Sequence, residues 1–310
     1  MKLTQKQQGN LIMLFVAIVF GLNMPISKHV LNESYISSFG LTVLRMTFAT
    51  ITFWITSLFL PKEKVEKKDR LILLVGGLVG IVLNQGSFLY GLATTSPVDA
   101  SIITTSSPLF AMVIAALVLK EPITAKKFGG VIVGAAGAIF LVYSTHHGED
   151  VQSASLKGNL AVVGGAFFYA FYLIITREIS KKYSPVTIMK WMFLYSTILL
   201  LPLGFGDIAS ANLFHQADMK PFLFVGFVLF GATYITYMLM PLAQKRIRPT
   251  TMAMYNNLQP LVASFIAISI GQDTFSIEKA FSGILILLGV YLVTQSKSKA
   301  DMDTGSVDKP

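Results

Sequence analysis

Residues 9–30, GNLIMLFVAIVFGLNMPISKHV, and residues 158–176, GNLAVVGGAFFYAFYLIIT, begin with the same Gly-Asn-Leu and then stay apolar for about five helical turns. A helix rises about 1.5 Å per residue and the hydrocarbon core of a bilayer is about 30 Å thick, so roughly 20 mostly apolar residues make one crossing. Working outward from these two stretches places spans at about 10–30, 36–60, 71–92, 100–119, 127–143, 158–176, 186–204, 221–242, 251–270 and 280–295. The spacing predicts an all-α polytopic membrane protein of ten transmembrane helices. Composition argues against a water-soluble fold: 53% of the 310 residues are apolar, 13% are charged, and mean hydropathy is +0.64. There is no cysteine, so disulfide frameworks and thiolate metal sites are excluded. Lys2 and Lys6 precede the first segment as in a secretory signal, but the apolar run is too long and no small-x-small cleavage site follows. That segment is expected to persist as the first span.

The loops give an orientation, because Lys and Arg near span ends are retained on the cytoplasmic side. With the N-terminus inside, nineteen of the twenty-five basic residues fall on inner segments, among them Lys62, Lys64, Lys67, Lys68, Arg70, Arg177, Lys181, Lys182, Lys245 and Arg246. Outer loops hold Lys28, Lys157, Lys220 and Lys279, while Arg45 and Lys190 fall within spans. Both termini are therefore expected in the cytoplasm of a cell bounded by this membrane, read as a bacterial inner membrane. The formal charge of +9 then follows from topology and from contact with anionic lipid head groups, with no nucleic-acid partner implied.

The two opening stretches belong to a longer repeat. Arg45 in the second span matches Lys190 in the seventh, and Pro97 matches Pro249. Thr104-Thr105-Ser106-Ser107-Pro108 matches Asn256-Asn257-Leu258-Gln259-Pro260, Glu121 matches Asp273, and Phe128-x-Gly130 matches Phe281-x-Gly283 after a one-residue slip. Five spans per half is an odd number, so the second half must enter from the opposite side. The expected organisation is two inverted five-helix repeats, residues 1–145 and 158–296, joined by an outer linker at 146–157 and followed by a disordered cytoplasmic tail at 297–310. Inverted repeats of this kind are common in carriers.

The run from Ala93 to Val142, with Pro108, a Leu-x-Lys-Glu ending at Glu121 and a glycine-rich fifth span, resembles the EamA-type family of the drug/metabolite transporter superfamily. Phe20-Gly21-x-Asn23 is similar to that family's opening motif, and the resemblance extends over about residues 9–295 in two copies. It implies spans one to four and six to nine around a central path, with spans five and ten packed at the side. It also implies a carrier of small metabolites such as amino acids, cofactors or nucleotide sugars, without naming one.

Polar residues inside a bilayer are costly and usually face the bundle interior or a water-filled cavity. On that ground the candidate path residues are Asn23, Arg45, Asn84, Gln85, Thr105 within the Thr104 to Ser107 tract, Tyr172 with Tyr169, Tyr234, Tyr237, Tyr255, Asn256, Asn257 and Gln259. Prolines at Pro25, Pro108 and Pro260 are candidate hinges or helix breaks, since each removes a backbone donor and frees a carbonyl that a ligand's ammonium could use. The bland alternative makes these amides and phenols interhelical hydrogen-bond glue and the prolines packing devices. Met24, Phe88, Met238 and Met240 could supply an adaptable apolar wall, or be ordinary core and lipid contacts.

A guanidinium at helix centre costs roughly 2.5–3.5 kcal/mol on the insertion scale, so Arg45 needs a partner. It reads either as a carboxylate or phosphate anchor at the outward mouth or as a group satisfied by carbonyls and lipid phosphate; Lys190 reads as structural. The acidic residues Asp99, Glu121, Asp207, Asp273 and Glu278 lie at span ends, with Asp99, Thr124 and Ser276 placed to cap helices. No carboxylate stands mid-span, which predicts a facilitator or a carrier only weakly coupled to ions. His29, His146, His147 and His215 lie at span ends or in outer loops, so no catalytic residue, metal site or cofactor is expected, and an intramembrane enzyme or a non-transporting scaffold fits less well. The expected function is export or facilitated passage of small polar metabolites such as neutral or aromatic amino acids by alternating access, with nucleotide-type or other anionic cargo as the alternative. The expected partners are a small-molecule substrate and membrane lipids, the protein acting as monomer or homodimer.

Overall fold

The computed structural model describes residues 4–118, 124–147, 156–247, 252 and 255–294, and among these every regular element is helical. Glu121, Pro249 and the 297–310 tail lie outside the described residues, as do the side chains of Asn256 and Asn257. In chain order the helices are α1 (Gln5–Asn32), α2 (Ser38–Leu58), α3 (Lys67–Gly77), a π-helical stretch (Leu78–Leu83), α4 (Asn84–Thr94), α5 (Pro97–Thr104), α6 (Ser107–Val118) and α7 (Ala125–His147). There follow α8 (Leu156–Ile175), α9 (Arg177–Lys182), α10 (Pro185–Ala209), α11 (Lys220–Gly226), a second π-helical stretch (Phe227–Ile235), α12 (Thr236–Gln244), α13 (Gln259–Ser269) and α14 (Ile277–Thr294). Short 3₁₀ turns sit at Asn212–His215 and Tyr255–Leu258.

Among the described residues, seven helical stretches are long and apolar enough to cross a membrane: Gln5–Asn32, Ser38–Leu58, Lys67–Thr94, Pro97–Val118, Leu156–Ile175, Pro185–His215 and Lys220–Gln244. Phe128–Gly137 and Gln259–Ser269 are shorter apolar helices. Ile51, Leu117, Ile198, Leu203 and Phe265 stand exposed on the outer faces. Water would penalise such a surface and lipid would not, so this is a multi-pass membrane protein.

Local chemistry explains where the helices begin. Thr4 and Gln7 form a reciprocal capping box at the start of α1. Ser37 caps α2 by accepting from the Gly40 amide and donates to Asp207 at the far end of α10, 2.7 Å away. Ser96, not Asp99, caps α5: its hydroxyl accepts from the Asp99 amide at 3.0 Å, with Pro97 in the first turn. Asp99 instead buries its carboxylate 3.5 Å from Lys279, which also reaches Asp273 at 2.9 Å, because a buried carboxylate needs a cation beside it. Ser276 does cap α14, accepting from the Lys279 amide.

Two boundaries shift from the sequence reading. His146 and His147 form the last turn of α7 rather than a linker, and Leu156 and Lys157 already belong to α8. Pro25 is not a break, since α1 runs without interruption through it. One missing hydrogen bond is outweighed there by the packing of α1 against α12 and α13. Pro108 and Pro260 each sit in the first turn of a new helix, α6 and α13.

The main helix pairings are α7 with α14, α2 with α10, α4 with α8, and α1 with α12 and α13. Two glycines illustrate close approaches of helix backbones. A Cβ on Gly289 of α14 would lie 2.5 Å from the Gly130 carbonyl oxygen on α7, and one on Gly77 would lie 2.7 Å from the Met192 carbonyl oxygen on α10.

Candidate functional site

A cavity of about 60 Å³ opens where most of the long helices converge, room for a few waters. From α1 it receives Phe20, Asn23 and Met24; from α2, Arg45; from α4, Asn84, Gln85 and Phe88. Thr104 and Ser107 come from the α5–α6 break, Gly165, Ala166 and Tyr169 from α8, Tyr237 and Met240 from α12, and Gln259 from the start of α13. Among the described residues, neither α7 nor α14 contributes to this lining.

The α5–α6 break shows how the sequence makes the wall. Pro108 has no N–H to return to the Thr104 carbonyl four residues earlier. Ser107 supplies the missing donor, its hydroxyl lying 2.7 Å from that oxygen. Thr105 and Ser106 do the same for the Ile102 and Ile103 carbonyls at 2.6 and 2.7 Å. The carbonyls expected to be free for a ligand's ammonium are therefore already engaged by the tract's own hydroxyls. Thr105 is turned away, and its neighbours Thr104 and Ser107 line the cavity instead.

The π-helical stretches were invisible in the sequence, yet they place the central polar groups. In the second one, the wide turn lets Thr233 Oγ1 donate to the Val228 carbonyl five residues back at 2.7 Å. The same hydroxyl accepts from Arg45 Nε at 2.8 Å, and the Ala232 carbonyl lies 3.5 Å from an Arg45 Nη. Arg45 is 3% exposed, and its Nη1 has no hydrogen-bond partner among the described residues. It belongs to the cavity wall. Lys190, its counterpart in the other half, lies 5.1 Å over the Trp54 ring and is not among the lining residues.

The first π-helical stretch ends at Asn84, whose side-chain amide donates to the Gly165 carbonyl on α8 at 2.8 Å while its oxygen accepts from Gln85 at 2.9 Å. Asn84 is thus both interhelical glue and wall. Asn23 Oδ1 accepts from Ser27, 3.2 Å away. The hydroxyl of Tyr169 is buried and has no partner among the described residues.

Three more of the expected path residues, besides Thr105, are elsewhere. Tyr172 lies behind the wall with its ring against Gly80, and Tyr234 shares a 2.6 Å hydrogen bond with Thr56. Tyr255 packs half-buried on the hydrophobic core. Asn256 and Asn257 belong to the 3₁₀ turn, and their side chains lie outside the described residues. Sequence reasoning missed Thr233, Gly165 and Ala166; the two small residues admit α4 close to α8, a signal available only in the repeated small-residue runs.

A family model for the EamA-like transporter family matches residues 7–143 and again 156–295. The chain is 22% identical over 283 residues to the uncharacterized transporter YyaM of Bacillus subtilis, covering 90% of this chain and 91% of that one. It is 26% identical over 233 residues to an uncharacterized transporter of Methanothermobacter thermautotrophicus, covering 75% of this chain and 66% of that one. A WAT1-related protein of Arabidopsis thaliana is 25% identical over 317 residues, covering 91% and 82% of the two chains. A solved crystal structure of 16% identity superposes with a TM-score of 0.63 over 93% of this chain and 98% of the other, which shows a shared fold.

Proposed function

Because this chain belongs to the EamA-like transporter family, we propose that it carries small polar metabolites through the central cavity by alternating access, with neutral or aromatic amino acids as the leading cargo. The observation that carries this reading is the lining itself: amides and hydroxyls from Asn23, Asn84, Gln85, Thr104, Ser107, Tyr169, Tyr237 and Gln259 face one space in a membrane bundle. Buried polar groups in a bilayer are costly, and a ring of them around a cavity fits a solute path.

The proposed architecture is ten spans in two inverted repeats, about 1–145 and 158–296. The helix pairings support it, because exchanging the halves turns α4–α8 into α12–α1 and α6–α8 into α13–α1, while α2–α10 and α7–α14 map onto themselves. The broken spans, α5–α6 and α13, would then move with their π-containing neighbours as the cavity opens to either side. A cytoplasmic location of both termini is supported by the gathering of Lys6, Arg177, Lys181, Lys245 and Arg246 around one cleft. The described carboxylates stay at helix ends, which supports passage driven by the substrate's own gradient. Nucleotide-type cargo fits less well, since among the described residues the lining has one cation to meet several phosphate charges.

The test is uptake of labelled amino acids, purines and nucleotide sugars into proteoliposomes with no ion gradient, beside a Gln85→Leu variant. Saturable downhill uptake of one class, lost in the variant, is expected. Uptake only under a proton or sodium gradient would overturn the uncoupled reading, and no uptake in any condition would overturn transport of these classes.

A further inference from the structure

We propose that Arg45 and Tyr169 form a carboxylate-binding subsite, so that this protein recognises its cargo by a carboxylate and is indifferent to an α-ammonium group. The inference rests on the transport reading above and names the chemistry of the solute. Two residues of the cavity lining each carry a buried donor without an acceptor among the described residues: Nη1 of Arg45 and the hydroxyl of Tyr169. Buried donors are nearly always paired, and a buried guanidinium without a counter-ion is a costly arrangement to retain unless a ligand completes it.

The remaining guanidinium contacts, to Thr233 and the Ala232 carbonyl, are neutral and hold the group in place without cancelling its charge. The buried carboxylates that could have cancelled it are committed elsewhere, Asp99 to Lys279 and Asp69 to Lys182. A solute carboxylate would bring both the acceptor and the charge, in the charge-assisted hydrogen bond that guanidinium makes best.

No carboxylate stands among the described residues of the lining. The amides of Asn23, Asn84, Gln85 and Gln259 are neutral, and the oxygens of Asn23 and Asn84 already accept hydrogen bonds from Ser27 and Gln85. A solute ammonium therefore finds no opposite charge there, while Phe20 and Phe88 can cover an aryl or alkyl group. An amino acid and its deaminated acid should bind alike, and the matching amide and amine should not.

The experiment uses the full chain, purified, with four probes of one shape: phenylalanine, 3-phenylpropionate, phenylalaninamide and phenethylamine. Binding is measured by titration calorimetry and flux by uptake into proteoliposomes. The two acids are expected to bind within a few-fold of each other, and the amide and amine about tenfold more weakly or worse, as loss of a charge-assisted hydrogen bond requires. Arg45→Gln should erase that discrimination. Tyr169→Phe, which removes one oxygen and keeps the ring, should weaken both acids several-fold without strengthening the amine.

Equal binding of acid and amide overturns the subsite, as does unchanged acid binding in both folded variants or no acid binding at millimolar concentration. Flux that ignores the carboxylate sinks the subsite and leaves transport standing. Carboxylate-selective binding with no flux in any condition leaves the subsite and sinks transport.

Discussion

Gly77 and Gly226 occupy the same place in the two halves, each the last residue before a π-helical stretch, and the structure assigns opposite signs to adding a methyl group at them. A Cβ on Gly77 would lie 2.7 Å from the Met192 carbonyl oxygen and 3.3 Å from that residue's Cα and C, all backbone atoms that cannot rotate aside. Real Cβ contacts do not fall below 3.0 Å, so α3 and α10 must separate by at least 3.0 − 2.7 = 0.3 Å. The Ser196 hydroxyl, which donates to the Gly77 carbonyl at 3.2 Å across the same crossing, would be stretched with them. Overpacking of this kind costs about 1–3 kcal/mol. A Cβ on Gly226 would meet nothing within 4 Å. There the ordinary preference of a helix for Ala over Gly, up to about 1 kcal/mol, is all that remains. Gly77→Ala should therefore be less stable than Gly226→Ala by about 1–4 kcal/mol. Reversible unfolding in mixed micelles, followed by far-ultraviolet circular dichroism, reads that difference directly. Equal stability of the two variants, or a more stable Gly77→Ala, would refute the claim that backbone contact at this crossing sets the helix separation.

Where α9 meets the start of α3, Lys182 bonds Asp69 and Glu66 at 2.6 Å each. Its bonds to Asp69 and then Glu66 hold its ammonium above the usual lysine range, while Lys182 and then Lys68 hold Glu66 below the usual carboxylate range. A depressed carboxylate contributes stability above its unfolded value near 4.3 and loses it as pH falls through the lower folded value. The raised lysine contributes below about 10.4 and loses it as pH rises through its higher folded value. The unfolding midpoint should thus plateau between about pH 5 and 10 and fall on either side, with both limbs flattened in Lys182→Gln; limbs unchanged in that variant would count against the assignment. For orientation, the absence of cysteine makes single-cysteine labelling clean. A membrane-impermeant maleimide on intact cells should label Asn212→Cys and leave Lys64→Cys untouched, both positions being exposed; the opposite pattern would invert the proposed topology.

Helix positions were legible in the residues because a bilayer imposes one local rule, about 20 apolar residues per crossing, and the chain either meets it or does not. Breaks at Pro108 and Pro260 were legible for a similar reason, since a missing N–H acts within four residues of itself. The same rule hid the direction each side chain takes. A span that is apolar on all sides has no polar face to mark lipid from neighbour, so Thr104 and Thr105, one step and about 100° apart, were equal candidates until the fold turned one to the cavity and the other to the Ile102 carbonyl. Tyr172 and Tyr234 lie outside the cavity lining, while Asn84, Gln85, Tyr237 and Gln259 lie in it. Arg45 was conspicuous as a charge within a span, but its meaning depended on what surrounds it. Thr233, 188 residues away, reaches it through a π-helical turn that no short motif announced. The residues alone determined that the chain would fill a membrane with helices and carry polar groups inside it. Tertiary packing decided which of those groups meet, because only the approach of distant helices leaves Arg45 and Tyr169 beside one cavity with donors unspent.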